Sequence, residues 1–236
     1  MSAKVTRRPA RRRAPPGARA RAPEVVELLK REYPDAHTEL VHGSPFQLLV
    51  ATILSAQTTD QTVNAVAPAL FARYPAAADL AGASQDEVER IVKPTGFFRS
   101  KARAIREMAQ DLVRLHGGEV PPRMEDLVKL RGVGRKTANV VLGVAFGIPG
   151  FPVDTHVARL VRRLRLTTAT DPVKIEHDTC VMVPPEEWTG LSLRLILHGR
   201  RVCHAQRPRC PACVLVDICP SAHLFLKAPP RRRATA

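Results

Sequence analysis

The chain has 236 residues, of which 44% are hydrophobic and 25% are charged, and its formal net charge is +15. This composition supports a folded core and excludes a chain that is disordered throughout. The sequence contains neither an apolar run long enough to span a membrane nor the apolar core of a secretory signal, so we expect no membrane contact and a cytoplasmic location.

The positive charge is concentrated at the two ends of the chain. Residues 1–22 contain eight Lys or Arg and no acid, and residues 224–236 contain four more, so the middle carries a net charge of only about +3. Residues 1–22 are predicted to form a disordered basic arm, and residues 224–236 a basic tail. An organelle transit peptide is the alternative for the arm, which however lacks the serine content and amphipathic spacing of such peptides. The overall charge favours a polyanionic partner.

Helical signals run through nearly the whole chain, and no convincing period-two alternation indicates a β-strand. Ser44, Asp60 and Asp154 are predicted N-caps, and Ser84 with Glu87 has the pattern of a capping box. The predicted helices cover residues 23–33, 45–54, 60–71, 84–92, 105–116, 124–130, 135–146, 155–165, 172–183 and 187–198. The buried stripe of the 105–116 helix is predicted at Ile105, Met108, Ala109, Leu112 and Leu115. The predicted fold class is therefore all-α.

The segment LRGVGRKTANVVL, residues 130–142, contains two glycines, then Arg-Lys and an apolar run. A Walker phosphate loop needs a glycine directly before its lysine, whereas Arg135 precedes Lys136 here. The segment is therefore predicted to be a helix-hairpin-helix, in which Gly132 and Gly134 permit positive φ and a close backbone approach. The helix N-terminus that follows attracts an anion such as a DNA phosphate. The alternative is that the glycines only tighten the corner.

Lys136 and Asp154 are the candidate catalytic residues. Lys136 lies in the first turn of its helix beside Arg135, and both the helix dipole and this neighbouring cation disfavour a protonated amine. Asp154 follows a Gly- and Pro-rich loop and returns to the same place if the two helices pack side by side. A lysine and a carboxylate together suit the attack of an amine on a sugar carbon with assisted proton transfer. The alternative is that Lys136 contacts a phosphate and Asp154 is an ordinary N-cap.

Four of the five cysteines are spaced as C-x6-C-x2-C-x5-C, whereas Cys180 stands alone. The four are Cys203, Cys210, Cys213 and Cys219. This layout is wrong for a disulfide framework in a reducing compartment and indicates a metal centre. Four thiolates can hold either Zn²⁺ or an iron–sulfur cluster, and the spacing by itself leaves both open.

The hairpin segment, the VDTH sequence at residues 153–156, the LHGR sequence at residues 197–200 and the cysteine spacing together closely resemble the endonuclease III family of DNA repair glycosylases. The resemblance extends over about residues 24–223. It implies excision of oxidised pyrimidines from double-stranded DNA, followed by strand cleavage through β-elimination. It also implies a [4Fe–4S] cluster rather than zinc, and a bacterial, nucleoid-associated monomer.

The same resemblance implies two helical lobes with DNA bound in the cleft between them. One lobe is a six-helix barrel over residues 38–148, with the helix-hairpin-helix at 124–146. The other lobe is an iron–sulfur cluster domain that joins residues 23–37 to residues 149–223.

The resemblance further assigns roles to individual residues. It makes Lys136 the nucleophile that forms a Schiff base at a damaged or abasic site, and Asp154 the catalytic carboxylate. Gln57 and Phe97 match positions that wedge into the duplex. The alternatives are that Gln57 is only a polar loop residue and that Phe97 is only a core aromatic. The predicted DNA contacts of the hairpin are Gly132, Val133, Gly134 and Arg135.

Two departures and three alternatives accompany this interpretation. Arg131 stands where the family commonly has proline, which predicts a looser turn or an extra phosphate contact, and Phe98–Arg99 replaces a more polar pair. An adenine mismatch glycosylase shares the fold but needs a carboxylate where this chain has none, between Glu39 and Asp60. The remaining alternatives are a non-catalytic metal-containing helix-hairpin-helix DNA-binding protein and a weakly active paralogue.

Overall fold

The computed structural model describes residues 14–226, which form helices and contain no β-strand. The predicted all-α class is therefore confirmed. The twelve α-helices of this part are α1 Ala18–Glu32, α2 Pro45–Leu54, α3 Asp60–Arg73, α4 Ala77–Ala81, α5 Gln85–Val92, α6 Phe98–His116, α7 Met124–Leu127, α8 Arg135–Ala145, α9 Thr155–Arg163, α10 Pro172–Cys180, α11 Trp188–Arg201 and α12 His223–Leu226. Short 3₁₀ turns lie at Lys93–Thr95, Pro185–Glu187 and Cys210–Ala212. No helix of the described part is long and apolar enough to cross a membrane.

The buried apolar side chains form two separate cores. The first core takes its residues from positions 40–142, and we call the part of the chain around it the first lobe. The second core joins residues 22–33, from α1 and its C-cap, to residues 151–215, and the part around it is the second lobe. Helix α2 buries eight of its ten residues, seven of them in the first core, and packs on α3, α6 and α8. Helix α8 also contacts α11 of the second lobe, so it lies where the lobes meet.

The first helix starts earlier than the sequence predicts. Helix α1 begins at Ala18 rather than at Pro23, and the side chains of Ala18 and Ala22 are fully buried. Arg21 donates from Nη1 to the carbonyl of Leu164, 2.9 Å away, which ties this turn to the second lobe. The prediction that all of residues 1–22 form a disordered arm is therefore wrong, because small alanines pack here among the arginines. Residues 1–13 and 227–236, which hold the rest of the predicted arm and most of the predicted tail, lie outside the described residues.

Two predicted caps are confirmed and two are wrong. The side chains of Ser44 and Asp154 accept backbone N–H bonds at the starts of α2 and α9. Helix α3 is capped by the hydroxyl of Thr59 rather than by Asp60, which is already its first helical residue. Ser84 precedes α5, but its side chain makes no capping bond, so the predicted capping box is absent.

The buried stripe of α6 is one residue shorter than predicted. Ile105, Met108, Ala109 and Leu112 are completely buried, whereas Leu115 is 43% exposed. Gly117, in the left-handed conformation, ends the helix one turn after Leu112, and the chain leaves the core there.

Candidate functional site

A cleft between the two lobes brings together the two predicted catalytic residues. Lys136 at the start of α8 and Asp154 at the start of α9 line the same cavity. Ser55 and Asp60 of the first lobe and Leu197 and Arg200 of α11 complete its walls. Packing of α8 against both α2 and α11 places Lys136 there, so residues 18 positions apart in sequence face one space.

The carboxylate of Asp154 has one oxygen engaged in the fold. Its Oδ1 accepts the backbone N–H of Val157 at 2.8 Å, which caps α9. Its Oδ2 accepts no hydrogen bond from residues 14–226. Asp154 is therefore an N-cap, as one alternative held, but it keeps a free oxygen in a residue that lines the cleft. The exposed Lys136 forms no ion pair with any residue in the described range, Asp154 included.

The two hairpin glycines have different conformations. Gly132 has φ +77°, and a Cβ there would lie 3.3 Å from the Cβ of Ala104. Gly134 has φ −88° as the N-cap of α8, so the prediction of positive φ at both glycines is wrong for Gly134. A Cβ on Gly134 would meet no protein atom within 4 Å. The open side of the hairpin is thus at Gly134, where the free N–H groups of α8 begin.

The remaining predicted DNA contacts of the hairpin are limited to the backbone or already engaged. The side chain of Val133 is buried, with only 6% of the residue exposed. The guanidinium of Arg135 makes a two-pronged ion pair with Glu176 of α10, both bonds being 2.7 Å long. This hydrogen-bonded partner raises the pKa of Arg135. Only the backbone of Val133 can face a phosphate, whereas the phosphate contact of Arg135 stays a prediction, because Glu176 engages only its Nε and Nη2.

Arg131 fixes the hairpin instead of loosening it. Its backbone N–H and its Nε donate to Oδ2 of Asp111 at 3.0 Å and 2.9 Å, and Asp111 is only 3% exposed. A proline at position 131 would lack this N–H. The prediction of a looser turn is therefore wrong, because Arg131 joins the hairpin to α6, and the extra phosphate contact stays a prediction.

Replacing Arg131 by alanine is expected to lower the melting temperature by a few degrees, since Asp111 then stays buried with fewer donors. Hydrogen bonds from the Arg131 side chain hold the pKa of Asp111 well below its usual range. A carboxyl with a lowered folded pKa stabilises the protein fully above its unfolded pKa, and this stabilisation is lost only as the pH falls below about 4. Thermal unfolding followed by circular dichroism should therefore show the same lowering of the melting temperature at about pH 6 and about pH 8. Arg99→Ala, which removes an exposed guanidinium 3.9 Å from Glu89, is the control. A deficit that changed between these pH values would contradict the ion pair as its cause.

The two predicted wedge residues share an unusual backbone. Gln57, in the loop after α2, has φ +54°, and Phe97, directly before α6, has φ +47°. Non-glycine residues in this region are uncommon and concentrate at functional sites. Phe97 is 68% exposed, which rules out the alternative of a core aromatic, and Gln57 is exposed as well.

The four clustered cysteines come together in the second lobe. They line one cavity with Arg163, which donates from Nη1 to Sγ of Cys203 at 3.2 Å, and Nε2 of His198 lies 3.2 Å from Sγ of Cys213. Burial raises the pKa of Cys213 to about 11, so metal binding would have to displace its proton. Cys180 lies outside this group, and its burial raises its pKa to about 12. Across residues 14–226, no three His, Cys, Asp or Glu side chains converge closely enough to hold one metal ion.

One part of the cleft was not predicted. Arg200 donates from Nη1 to Glu39 at 2.6 Å and from Nη2 to Asp60 at 3.1 Å, and all three residues line the cavity. The LHGR sequence was the available signal for Arg200, but it does not reveal which acids it meets. A single guanidinium of the opposite lobe therefore bonds both acids.

The chain has extensive similarity to known DNA repair proteins. Residues 50–185, more than half of the chain, match the family described as HhH-GPD superfamily base excision DNA repair protein. The chain is 53% identical to endonuclease III of Synechocystis sp. over 203 residues, which cover 86% of this chain and 93% of the relative. It is 38% identical to endonuclease III of Escherichia coli over 201 residues, which cover 85% and 95%.

Solved structures show the same relationship. A trapped covalent intermediate of an endonuclease III with DNA superposes with a TM-score of 0.84 at 40% identity, covering 89% of this chain and 99% of that one. A thermostable thymine-DNA glycosylase superposes with a TM-score of 0.75 at 21% identity, covering 88% and 97%, and therefore shares the fold.

Proposed function

As a member of the endonuclease III family, this chain is a base excision DNA repair glycosylase, and we propose that it removes oxidised pyrimidines from double-stranded DNA and then cuts the strand by a lyase reaction. The observation that carries the proposal is the shared cleft of Lys136 and Asp154. A pocket that joins an amine to a carboxylate with one free oxygen suits covalent attack on a sugar carbon. We propose that the protein acts as a monomer.

The first step is extrusion of the damaged nucleotide. The sugar carbon C1′ cannot be reached inside a stacked duplex, so the nucleotide must rotate out and protein side chains must fill the gap. Exposed Gln57 and Phe97 supply a polar and an aromatic wedge. The backbone N–H groups at Gly134 hold the adjacent phosphate, because no side chain blocks their approach.

Lys136 then acts as the nucleophile. Its neutral amine forms a bond to C1′ as the bond from C1′ to the base breaks, and the base leaves with the bonding electrons and takes up a proton. The added amine gives up one proton, and its lone pair then forms a C=N bond as the C1′–O4′ bond breaks. O4′ leaves with the bonding electrons and takes up a proton, which opens the sugar ring and gives a protonated Schiff base between Nζ and C1′. Loss of a C2′ proton expels the 3′ phosphate, and this β-elimination nicks the strand. Oδ2 of Asp154 stabilises the positive charge that develops on the sugar and accepts a proton from the attacking amine.

Trapping with borohydride tests this proposal. Borohydride reduces a Schiff base to a stable amine, so the protein and DNA containing a thymine glycol or an abasic site should give one covalently joined product. A solved relative at 40% identity forms a covalent intermediate with DNA, which supports a nucleophile of this kind. Cleavage that occurs without any adduct would contradict the mechanism.

We also propose that the four cysteines hold a [4Fe–4S] cluster. Four thiols around one cavity provide the ligands that such a cluster requires. The same four thiols could instead hold one Zn²⁺, so the metal content of the purified protein distinguishes the two centres. The bound cluster would supply structural cross-linking of this segment. The Arg163 guanidinium would offset thiolate charge at Cys203, and the neutral imidazole of His198 would hydrogen-bond the sulfur of Cys213.

Replacing Cys219 by alanine is expected to remove the brown colour of the purified protein and to lower its iron content from about four atoms per chain to nearly none. The segment around the cavity should then be cut faster by proteases, because its cross-link is gone. Cys180→Ala is the matched control, since Cys180 lies outside the cavity, and its iron content should stay unchanged. Stoichiometric zinc in the wild-type protein would contradict the cluster.

Two other functions are less well supported. An adenine mismatch glycosylase would need an additional carboxylate on α2 or in the following loop, and residues 40–59 contain no Asp or Glu. A non-catalytic DNA-binding protein would not require Lys136 and Asp154 to share a cleft.

A further inference from the structure

Lys101 is a buried lysine without a carboxylate partner. It lies in the first turn of α6, only 5% of its surface is exposed, and no ion pair links it to any acid of the described part. Burial lowers its pKa, as expected when an ammonium group leaves water. Lysines are rarely buried unless they are paired. Its contacts therefore need an explanation that stability alone does not provide.

The hydrogen bonds of the Lys101 ammonium join two loops. Nζ donates to Oγ1 of Thr58 at 2.5 Å and to the carbonyl oxygen of Thr95 at 2.7 Å. The hydroxyl of Thr58 donates in turn to the same carbonyl of Thr95. The three groups form a closed junction, which we call the Lys101 junction. Bonds to a charged donor are shorter and stronger than those between neutral groups, so the junction holds the two loops together.

The two loops are those that present the predicted wedge residues. Thr58 directly follows Gln57, and Thr95 precedes Phe97 by two residues. Gly96 between Thr95 and Phe97 has φ +66° and ψ 160°, a region that is essentially restricted to glycine. Gln57 and Phe97 both have positive φ, which is unfavourable for side-chain-bearing residues. Three positive-φ positions thus lie within two residues of Thr58 and Thr95, the two residues that the buried ammonium group joins.

We propose that Lys101 is a positioning residue that couples the two loops, so that Gln57 and Phe97 enter the duplex as one unit. The inference rests on the proposed function, because it assumes that these two residues fill the gap left by the extruded nucleotide. Lys101 is too buried to contact DNA itself. It acts through the backbone of the two loops. When Lys101 is removed, Gln57 and Phe97 are still present, but their positions relative to each other are no longer fixed.

The test uses a probe that separates extrusion from chemistry. 2-Aminopurine beside a thymine glycol fluoresces more strongly when the stack opens, and stopped-flow mixing follows this rise. Lys101→Met, which keeps the buried stem and removes the charge, should slow the rise and single-turnover base excision by about tenfold to a hundredfold. Borohydride trapping on an abasic site, where no base has to be unstacked before Lys136 reaches C1′, should fall by less than about threefold.

A double-mutant cycle distinguishes positioning from a general loss of stability. If Lys101 acts through the wedges, Lys101→Met should add little to the defect of Gln57→Ala/Phe97→Ala, because the register of missing side chains no longer matters. If Lys101 only stabilises the fold, the two defects should multiply, and this outcome would overturn the inference. Equal losses in extrusion and in abasic-site trapping would overturn it as well.

A second variant keeps the inference testable if Lys101→Met does not fold. Thr58→Val removes the central hydroxyl of the junction at nearly constant volume and should give the same pattern with a smaller slowing. Thr179→Val is the matched control, because it removes a buried hydroxyl bonded to Ile175 at 2.8 Å within α10. If wild-type protein gives no adduct on abasic DNA, the proposed function fails; if it gives the adduct but both variants extrude normally, only the role of Lys101 fails.

Discussion

Replacing Lys136 by alanine is expected to abolish the borohydride-trapped adduct and to reduce strand cleavage by at least about 10⁴-fold, the scale on which enzymes lose activity when their nucleophile is removed. Alanine offers no amine to C1′, so neither the covalent bond nor the Schiff base can form. The fold should tolerate the change, because Lys136 is exposed and forms no ion pair within residues 14–226. Denaturing gel electrophoresis of the reduced mixture measures the adduct.

Lys129→Ala is the matched control for this experiment. Lys129 belongs to the same helix-hairpin-helix and is mostly exposed, but its ammonium pairs with Asp126 at 3.0 Å and does not line the cleft. The control should keep nearly all of the adduct. DNA affinity measured at a fixed salt concentration should change by similar small factors in both variants, since each removes one cation. An adduct of normal yield in Lys136→Ala would disprove the assignment of the nucleophile.

Replacing Asp154 by asparagine is expected to lower the rate of base excision by about 10²-fold to 10⁴-fold while DNA binding stays within a few-fold of wild type. Asparagine is as good an N-cap as aspartate, so it can still accept the N–H of Val157. It cannot take up a proton or offset a positive charge on the sugar. Single-turnover excision and fluorescence anisotropy on the same lesion-containing duplex separate chemistry from binding.

The cap of α10 supplies the control for Asp154. Asp171 accepts the N–H of Lys174 at 3.0 Å in the same capping geometry, but it lies outside the cleft. Asp171→Asn should leave both excision and melting temperature nearly unchanged. If Asp154→Asn lost binding and melting temperature together with excision, the residue would be a structural cap and the carboxylate role would be wrong.

The sequence was informative where local chemistry determines the structure. Ser44 followed by proline and Asp154 before an apolar helical pattern led directly to two observed caps, because an N-cap depends on a few adjacent residues. The cysteine spacing indicated a metal centre, and the four thiols do line one cavity. Lys136 and Asp154 were paired on the assumption that their helices pack side by side, and the cleft between the lobes brings them together.

The sequence was less informative where a side chain's partner is distant. Arg135 is a cation beside a hairpin glycine, as is typical of a phosphate contact, yet it forms an ion pair with Glu176, 41 residues away. Asp60 is of a residue type that is common at N-caps, yet the N-cap of α3 is the preceding residue, Thr59. The junction at Lys101 depends on Thr58, 43 residues earlier, and no period or motif connects the two. Such pairs are set by packing of whole helices, which a local pattern does not encode.

The contact between Arg131 and Asp111 also limits how this hairpin can vary. A hairpin with proline at position 131 has no N–H to give, so a carboxylate at position 111 would lose a backbone donor and two guanidinium bonds at once. Conversely, a neutral residue at position 111 would leave Arg131 without its main acceptor. Either substitution alone therefore gives a less stable protein, and only a simultaneous change of both positions avoids this loss of stability. Positions 111 and 131, twenty residues apart, are therefore expected to be inherited and exchanged as a pair.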